Sequence, residues 1–269
     1  MDLSIIILNY KAKNLVKNCL KNILALNLNL EYEIIVVDNA SGDGCPEMVK
    51  KEFSAEVSIN KIKIIESKIN KGYASGNNLG IKESKGKYIL ILNPDITVLD
   101  GSIEKMFQFM EKNSDCAICG PKLLNPDKSI QISSFRFPRW YTPIFRRTFL
   151  KNFSFTKEEL KKYQMLDVKE DEIHEADWLM GACVMIKKSA IEKVGLMDEN
   201  YRLYFEDTDW CKRFFKAGYK VYYFPQAEMI HFHQRLSAQE LGFKSLFNPS
   251  TRIHIMSAIK YFWKWRKDA

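Results

Sequence analysis

The feature that most constrains this chain is an apolar run that stops at a polar residue, met again and again in the first hundred residues. Ser4-Ile5-Ile6-Ile7-Leu8 ends in Asn9-Tyr10, Glu33-Ile34-Ile35-Val36-Val37 in Asp38-Asn39, and Tyr88-Ile89-Leu90-Ile91-Leu92 in Asn93-Pro94-Asp95. Runs without a polar face suit strands covered on both sides, as in a parallel sheet. Lys61-Ile62-Lys63-Ile64-Ile65 is a weaker run that begins by alternating. Between the runs lie helical spacings: Leu15, Cys19, Ile23 and Leu26, then Pro46 as the first residue of a helix over Glu47 to Phe53. Strand, helix and strand in repetition predict an open α/β sheet, whose ligands gather at the carboxyl ends of the strands. Asp95 falls there, and a carboxylate so placed can hold a divalent cation against a diphosphate. The competing reading is that it only organises the turn after Pro94.

The length, 269 residues, fits one large domain or two small ones, and 46% hydrophobic residues allow a sizeable core. No apolar run reaches the roughly 18 residues of a membrane span. Met1-Asp2-Leu3-Ser4 lacks a basic leader region, so a secretory signal is not expected. The six cysteines show no disulfide-like regularity, and the lone Cys116-x-x-Cys119 has no second pair or nearby histidine to make a zinc site. Reduced thiols in a cytoplasmic protein are the expectation.

An excess of 41 basic over 33 acidic residues, net +8, suits an anionic partner. Arg252, Lys260, Lys264, Arg266 and Lys267 lie in one helical tail whose face carries Ile255, Met256, Ile259, Phe262 and Trp263. Such a helix fits the headgroup region of an anionic bilayer, and it fits equally a helix docked on its own domain. Nucleic acid is not expected, because no recognition motif accompanies the charge.

Beyond Gly120 the strand–helix rhythm stops. Ser133 to Glu175, rich in Arg, Phe, Pro and Lys, reads as a long surface excursion. Order returns at Asp177 to Ile186, where Gly181 interrupts a strand and permits close backbone approach. Glu206, Asp207 and Asp209 then crowd the start of a helix over Trp210 to Lys216. Acids there cap amides and meet the helix dipole, or one of them serves as a general base. His231-Phe232-His233 follows a strand at Ala227 to Ile230, with both imidazoles on one face. The pair suits a transition metal, or is structural.

Taken together these segments resemble the family 2 glycosyltransferases of GT-A fold, in particular the bacterial rhamnosyltransferase-like branch. The matching segments are Ile7 to Tyr10, Val37 to Gly44, Asn70 to Gly80, Leu92 to Asp95, Asp177 to Ala182, Phe205 to Asp209, and His231 with Ser237 downstream. The resemblance implies a GT-A domain over residues 1–240, with a nucleotide-sugar half near 1–120 and an acceptor half near 121–240. Residues 241–269 then form a C-terminal basic helix.

The resemblance also implies roles. Asn9, Tyr10, Asp38, Asn77 and Asn93 would bind the nucleotide-sugar, with Tyr10 stacking on the base and Asp38 accepting its ring N–H. Asp95 would be the metal carboxylate of an Asp-x-Asp motif whose first position is Asn93 here, and His231 a further ligand to Mg or Mn. Asp207 would be the catalytic base, with Trp178, Gly181, Glu206 and Asp209 on the acceptor wall. The expected activity is inverting transfer of rhamnose from dTDP-rhamnose, or of a hexose from a UDP-sugar, to a glycan or lipid-linked glycan at the inner membrane face. The glycines at 72, 76 and 80 do not form G-x-G-x-x-G, so a dinucleotide site is not supported. A sugar nucleotidyltransferase would carry a glycine-rich loop after the first strand, which Asn9 to Asn14 lacks. A silent nucleotide-sugar or membrane-binding module would be expected to lose Asp95 or Asp207.

Overall fold

A computed structural model describes residues 1–147, 149–232 and 248–268. The chain begins β1 (Leu3–Asn9), α1 (Lys13–Ala25), β2 (Tyr32–Asp38), α2 (Cys45–Glu52), α3 (Ser54–Ser58), β3 (Ile62–Glu66), α4 (Tyr73–Glu83) and β4 (Tyr88–Leu92). It continues through β5 (Ile96–Val98), α5 (Ser102–Lys112), β6 (Cys116–Leu124), β7 (Ile130–Gln131), β8 (Ser134–Phe135), α6 (Thr142–Arg147), a 3-10 turn (Phe149–Asn152) and α7 (Ser154–Tyr163). The last part is β9 (His174–Glu175), β10 (Trp178–Leu179), β11 (Cys183–Lys187), α8 (Lys188–Val194), α9 (Glu206–Lys216), β12 (Lys220–His231) and α10 (Pro249–Lys264).

The main sheet runs β3-β2-β1-β4-β11-β6-β12-β5. β3, β2, β1 and β4 are parallel, while β11 lies antiparallel to both β4 and β6. β12 runs parallel to β6 and antiparallel to β5. The sheet is therefore open and mixed, and helices cover both faces. Ile5, Ile34 and Leu90 pack with Val16, Leu20 and Ile23 of α1 on one side. Ile6, Ile35 and Ile91 pack with Ala74, Ile81, Trp210 and Phe214 on the other. Two covered faces explain why β1, β2 and β4 have no polar alternation.

All six cysteines are free and buried. Among the described residues no helix is long and apolar enough to cross a membrane. The excursion holds β8 and β9 with α6 and α7.

The C-terminal helix settles against the protein. Ala258 and Tyr261 are buried with Tyr201 and Phe205. Lys260 Nζ donates to the Asn200 carbonyl at 2.7 Å, and Ser257 Oγ to that of Leu203 at 2.9 Å. Of the two readings of the tail, the contacts support the docked one: Lys260 and Lys264 are both bound to the domain. Outward lie Met256, Ile259 and Trp263.

Candidate active site

Strand register places the donor-side residues. Asn9 and Asp38 are direct partners at the ends of β1 and β2. Asn9 Nδ2 donates to Asp38 Oδ1 at 2.7 Å and to Asp43 Oδ1 at 3.1 Å. Asp38 Oδ2 also accepts from the Ser41 N–H at 3.1 Å. Asn9 is fully buried, so it braces Asp38, while the Tyr10 ring beside it is half exposed and open to stacking. Asp43, which sequence reasoning gave no role, anchors this turn. Burial pushes its carboxyl up, but hydrogen bonds from Cys45, Asn9 and Lys13 outweigh burial and hold it below the usual range.

Gly72 joins the donor side to the acceptor side. Asn39 Nδ2 donates to its carbonyl at 3.1 Å, and the next amide, Tyr73 N–H, donates to the Arg202 carbonyl at 3.0 Å. Gly72 has φ +112°, and a Cβ there would stand 2.2 Å from the Arg202 oxygen, so only glycine fits. Tyr73 Oη then donates to the Gly181 carbonyl at 2.6 Å and lies 3.3 Å from Asn93 Oδ1. Burial raises the Tyr73 hydroxyl well above its ordinary range, which keeps it a donor. Asn77, expected to touch the nucleotide-sugar, is instead fully buried and donates to the Tyr73 carbonyl at 3.1 Å. Its part is to support Tyr73.

The ends of β4 and β12 bring Asp95 to His231. Ile96, next to Asp95, pairs with His231 across the β5–β12 edge, and the Phe232 N–H donates to the Asp95 carbonyl at 2.9 Å. His231 Nε2 lies 3.5 Å from Asp95 Oδ2. The other imidazole nitrogen, Nδ1, is 2.9 Å from Gln131 Oε1, while Gln131 Nε2 donates to the His231 carbonyl at 2.8 Å. With its amide nitrogen so committed, Gln131 presents an acceptor to Nδ1–H, which leaves the Nε2 lone pair directed at Asp95. Asp95 Oδ1 is buried without a hydrogen-bond partner among the described residues. A carboxylate oxygen in that state fits a cation. Among the described residues no three His, Cys, Asp or Glu side chains converge, so of these only Asp95 and His231 would hold a cation here, and it would need further oxygens from outside the protein. His233 and Ser237 lie outside the described residues.

Asp207 stands at the start of α9, facing Gly181. The Gly181 N–H donates to Asp207 Oδ2 at 3.1 Å, and the Thr208 N–H to Oδ1 at 2.7 Å. Burial raises Asp207, and these hydrogen bonds only partly offset it. Glu206 is raised further, by burial first and then by the Asp207 charge. Both carboxyls of the pair are thus raised, Glu206 the more strongly. The Gly181 N–H donates to Asp207 and its carbonyl accepts from Tyr73, so one residue links Asp207 through Tyr73 to Asn93. Trp178 is buried, stacked on Phe135 at 4.4 Å, with its Nε1–H given to the Arg136 carbonyl. Expected on the acceptor wall, it roots the excursion through these contacts.

Asp209 is not on that wall. Its carboxylate is fully buried and bound by Arg213 Nε at 3.0 Å, Lys264 Nζ at 2.8 Å and Trp265 Nε1 at 2.9 Å. Lys264 also meets Asp198 at 2.7 Å. This is the lock of the C-terminal helix. The turn it secures is strained: Tyr204 and Phe205, just before Glu206, both lie in the left-handed region at φ +69° and +68°. The Phe205 ring is held by His254, Tyr261 and Phe262 of α10, at 5.2 to 6.1 Å. Sequence reasoning gave Asp209 a capping or bracing role as well, and that is the one its contacts support. Gln131 and the Lys264–Trp265 partners carried no signal in the sequence.

An open mixed sheet flanked by helices, with the Asp95–His231 pair at one strand edge and the buried Glu206–Asp207 pair at the start of α9, is an architecture of GT-A type. The profile of glycosyl transferase family 2 matches residues 4–195, and the chain belongs to that family. It is 29% identical over 216 residues to the low-salt glycan biosynthesis hexosyltransferase Agl10 of Haloferax volcanii, covering 79% of this chain and 61% of the relative. It is 25% identical over 219 residues to the N-acetylglucosaminyl-diphospho-decaprenol L-rhamnosyltransferase of Mycobacterium tuberculosis, covering 77% and 69%. Among solved structures, the mannosyltransferase PcManGT of Pyrobaculum calidifontis, in complex with GDP-Man and Mn2+, superposes with a TM-score of 0.59 at 15% identity, over 87% of this chain and 57% of that one. The last likeness is one of fold. The chain thus spans about three fifths of the first relative and of that structure.

Proposed function

We propose that this chain is an inverting, metal-assisted glycosyltransferase. Its donor would be dTDP-rhamnose, and its acceptor a hydroxyl of a lipid-linked or cell-surface glycan at the cytoplasmic face of the membrane. Residues near 1–120 form the donor half and those near 121–240 the acceptor half. The observation that carries this reading is the presence of two built sites: the Asp95–His231 pair, and a raised Asp207 carboxylate linked through Gly181 and Tyr73 to Asn93. The sugar and the lipid carrier follow the mycobacterial relative's name, and Mn the mannosyltransferase complex.

In this reading Tyr10 stacks on the pyrimidine and Asp38 accepts its ring N–H. Asp95 and His231 would hold Mg or Mn, which offsets the charge of a leaving diphosphate. Asp207 removes the acceptor hydroxyl proton, and the oxygen attacks the anomeric carbon from the face opposite the diphosphate. One displacement by one base inverts that carbon. Burial and the Asp207 charge raise Glu206, which disfavours a second negative charge beside Asp207.

Calorimetric titration with dTDP, UDP and GDP tests the donor. dTDP should bind best. UDP should follow by no more than about 1–3 kcal/mol, the worth of one methyl in a pocket. Tighter binding of GDP than of either pyrimidine nucleotide would overturn the assignment.

A further inference from the structure

The excursion carries a surface that the transfer reaction does not use. Its rings form one contiguous ladder: Trp140 to Tyr141 at 5.5 Å, Tyr141 to Phe145 at 4.9 Å, Phe145 to Phe155 at 5.9 Å and Phe155 to Phe153 at 6.2 Å. Trp140 is 68% exposed and Phe155 60%, with Ile144 also exposed beside them. Exposed apolar residues scattered singly need no explanation, but a connected group of large rings marks a contact surface.

Charge says what kind of contact. From Ile132 to Lys157 the chain holds Arg136, Arg139, Arg146, Arg147, Lys151 and Lys157, and no Asp or Glu. Arg139, Arg146 and Lys157 are exposed around the ladder. Arg136 is spent on Asp167, and Arg139 shares Glu159 at 3.6 Å. A partner protein of ordinary composition would meet this rim with matched acids at fixed points. A bilayer needs only an apolar depth for the rings and a diffuse negative field for the rim. The root of the excursion is bonded to the acceptor wall: Phe135 stacks on Trp178, and the Phe137 N–H donates to Asp177 at 2.6 Å. A surface seated here holds the acceptor side of the cleft beside the lipid.

We infer that the Trp140–Phe155 aromatic ladder and its basic rim form a docking surface for an anionic lipid bilayer. The inference extends the lipid-linked acceptor proposed above. Its test uses no sugar or nucleotide, so its failure would leave the transfer reaction standing.

The full chain is mixed with vesicles of phosphatidylcholine alone or with phosphatidylglycerol added, and the bound fraction is read by sedimentation. Binding should require phosphatidylglycerol and fall by about tenfold or more at high salt, because the rim acts through a screened field. Trp140→Glu with Phe155→Glu should remove it without moving the melting temperature, since both rings are exposed. Arg139→Glu with Lys157→Glu should weaken it and flatten the salt dependence. Undiminished vesicle binding by the ring variant would overturn the inference. So would release of the vesicles by Ile259→Glu on the outer face of α10, which would put the contact on the tail. A ladder that instead mediates self-association, seen as a dimer lost in the ring variant with no vesicle binding in either protein, would equally refute it.

Discussion

Asp38 and Asp207, assigned above to one proposed cleft, are held by opposite means. Asp38 closes a strand whose every residue is buried and paired, and its carboxylate is fixed by Asn9 and Ser41 on the neighbouring turns. Asp207 follows two consecutive left-handed residues, Tyr204 and Phe205, a conformation that costs on the order of 1–3 kcal/mol for each. That strain is carried by α10, through the rings against Phe205 and the Lys264–Trp265 lock on Asp209. The donor side is thus made by regular structure near in sequence, whereas the acceptor side depends on parts far along the chain. Substitutions should separate the two.

The largest effect is expected on the donor side. Asp95→Ala should abolish turnover, and excess EDTA should do the same to the unaltered protein; activity that survives EDTA would remove the cation. His231→Ala should cost less, and Gln131→Leu about 10–100-fold in metal affinity, through the imidazole it orients.

Next comes the seam between the sides. Gly72→Ala puts a Cβ into the Arg202 carbonyl at a φ that disfavours it, and should cost about 3 kcal/mol or more of stability. An unchanged melting temperature would mean that the seam is not a fixed joint.

Smaller again is the tail. Lys264→Ala leaves Asp209 buried with Arg213 alone among its cations, and should cost about 2 kcal/mol. It should lower kcat while nucleotide affinity holds, because the lock steadies the base and not the donor side. Lys50→Ala, which breaks an exposed pair with Glu66, should cost under about 1 kcal/mol and serves as the control.

The smallest is a gain. Burial and the Asp207 charge raise Glu206, so its contribution to stability is full below the unfolded value of about 4.3 and is lost as pH rises toward the folded one. Glu206→Gln removes that loss, and its melting temperature should exceed that of the unaltered protein by more at pH 7 than at pH 5. A gap that narrows with pH would place the shared proton elsewhere. Since Asp207 is also raised, kcat should climb with pH as it ionises.

The contrast also explains what the sequence disclosed. The runs of β1, β2 and β4 announce their burial because each lies between two covered faces, and strand ends then place Asn9, Asp38 and Asp95 without further information. The proposed base was readable as one of three crowded acids. Which acid faced inward was not readable from local pattern, since the partners that claim Asp209 lie 55 and 56 residues beyond it. Gln131 is likewise 100 residues from His231. The tail left two readings open for a physical reason: lysines beside an aromatic face look the same whether they meet headgroups or a buried carboxylate. The excursion read only as a surface segment, because the ladder forms across its turns and not along a helical repeat.

The central claim is that donor binding and proton removal belong to separately built sides of the cleft, with Asp207 as the base. Asp207→Asn keeps the shape and removes the proton acceptor. Turnover by this variant, measured with dTDP affinity and melting temperature, tests the claim directly. The account predicts a kcat lower by at least about 10²–10⁴-fold with dTDP affinity unchanged and the fold intact. A folded Asp207→Asn protein with near-normal kcat, or one that loses dTDP binding, would contradict it.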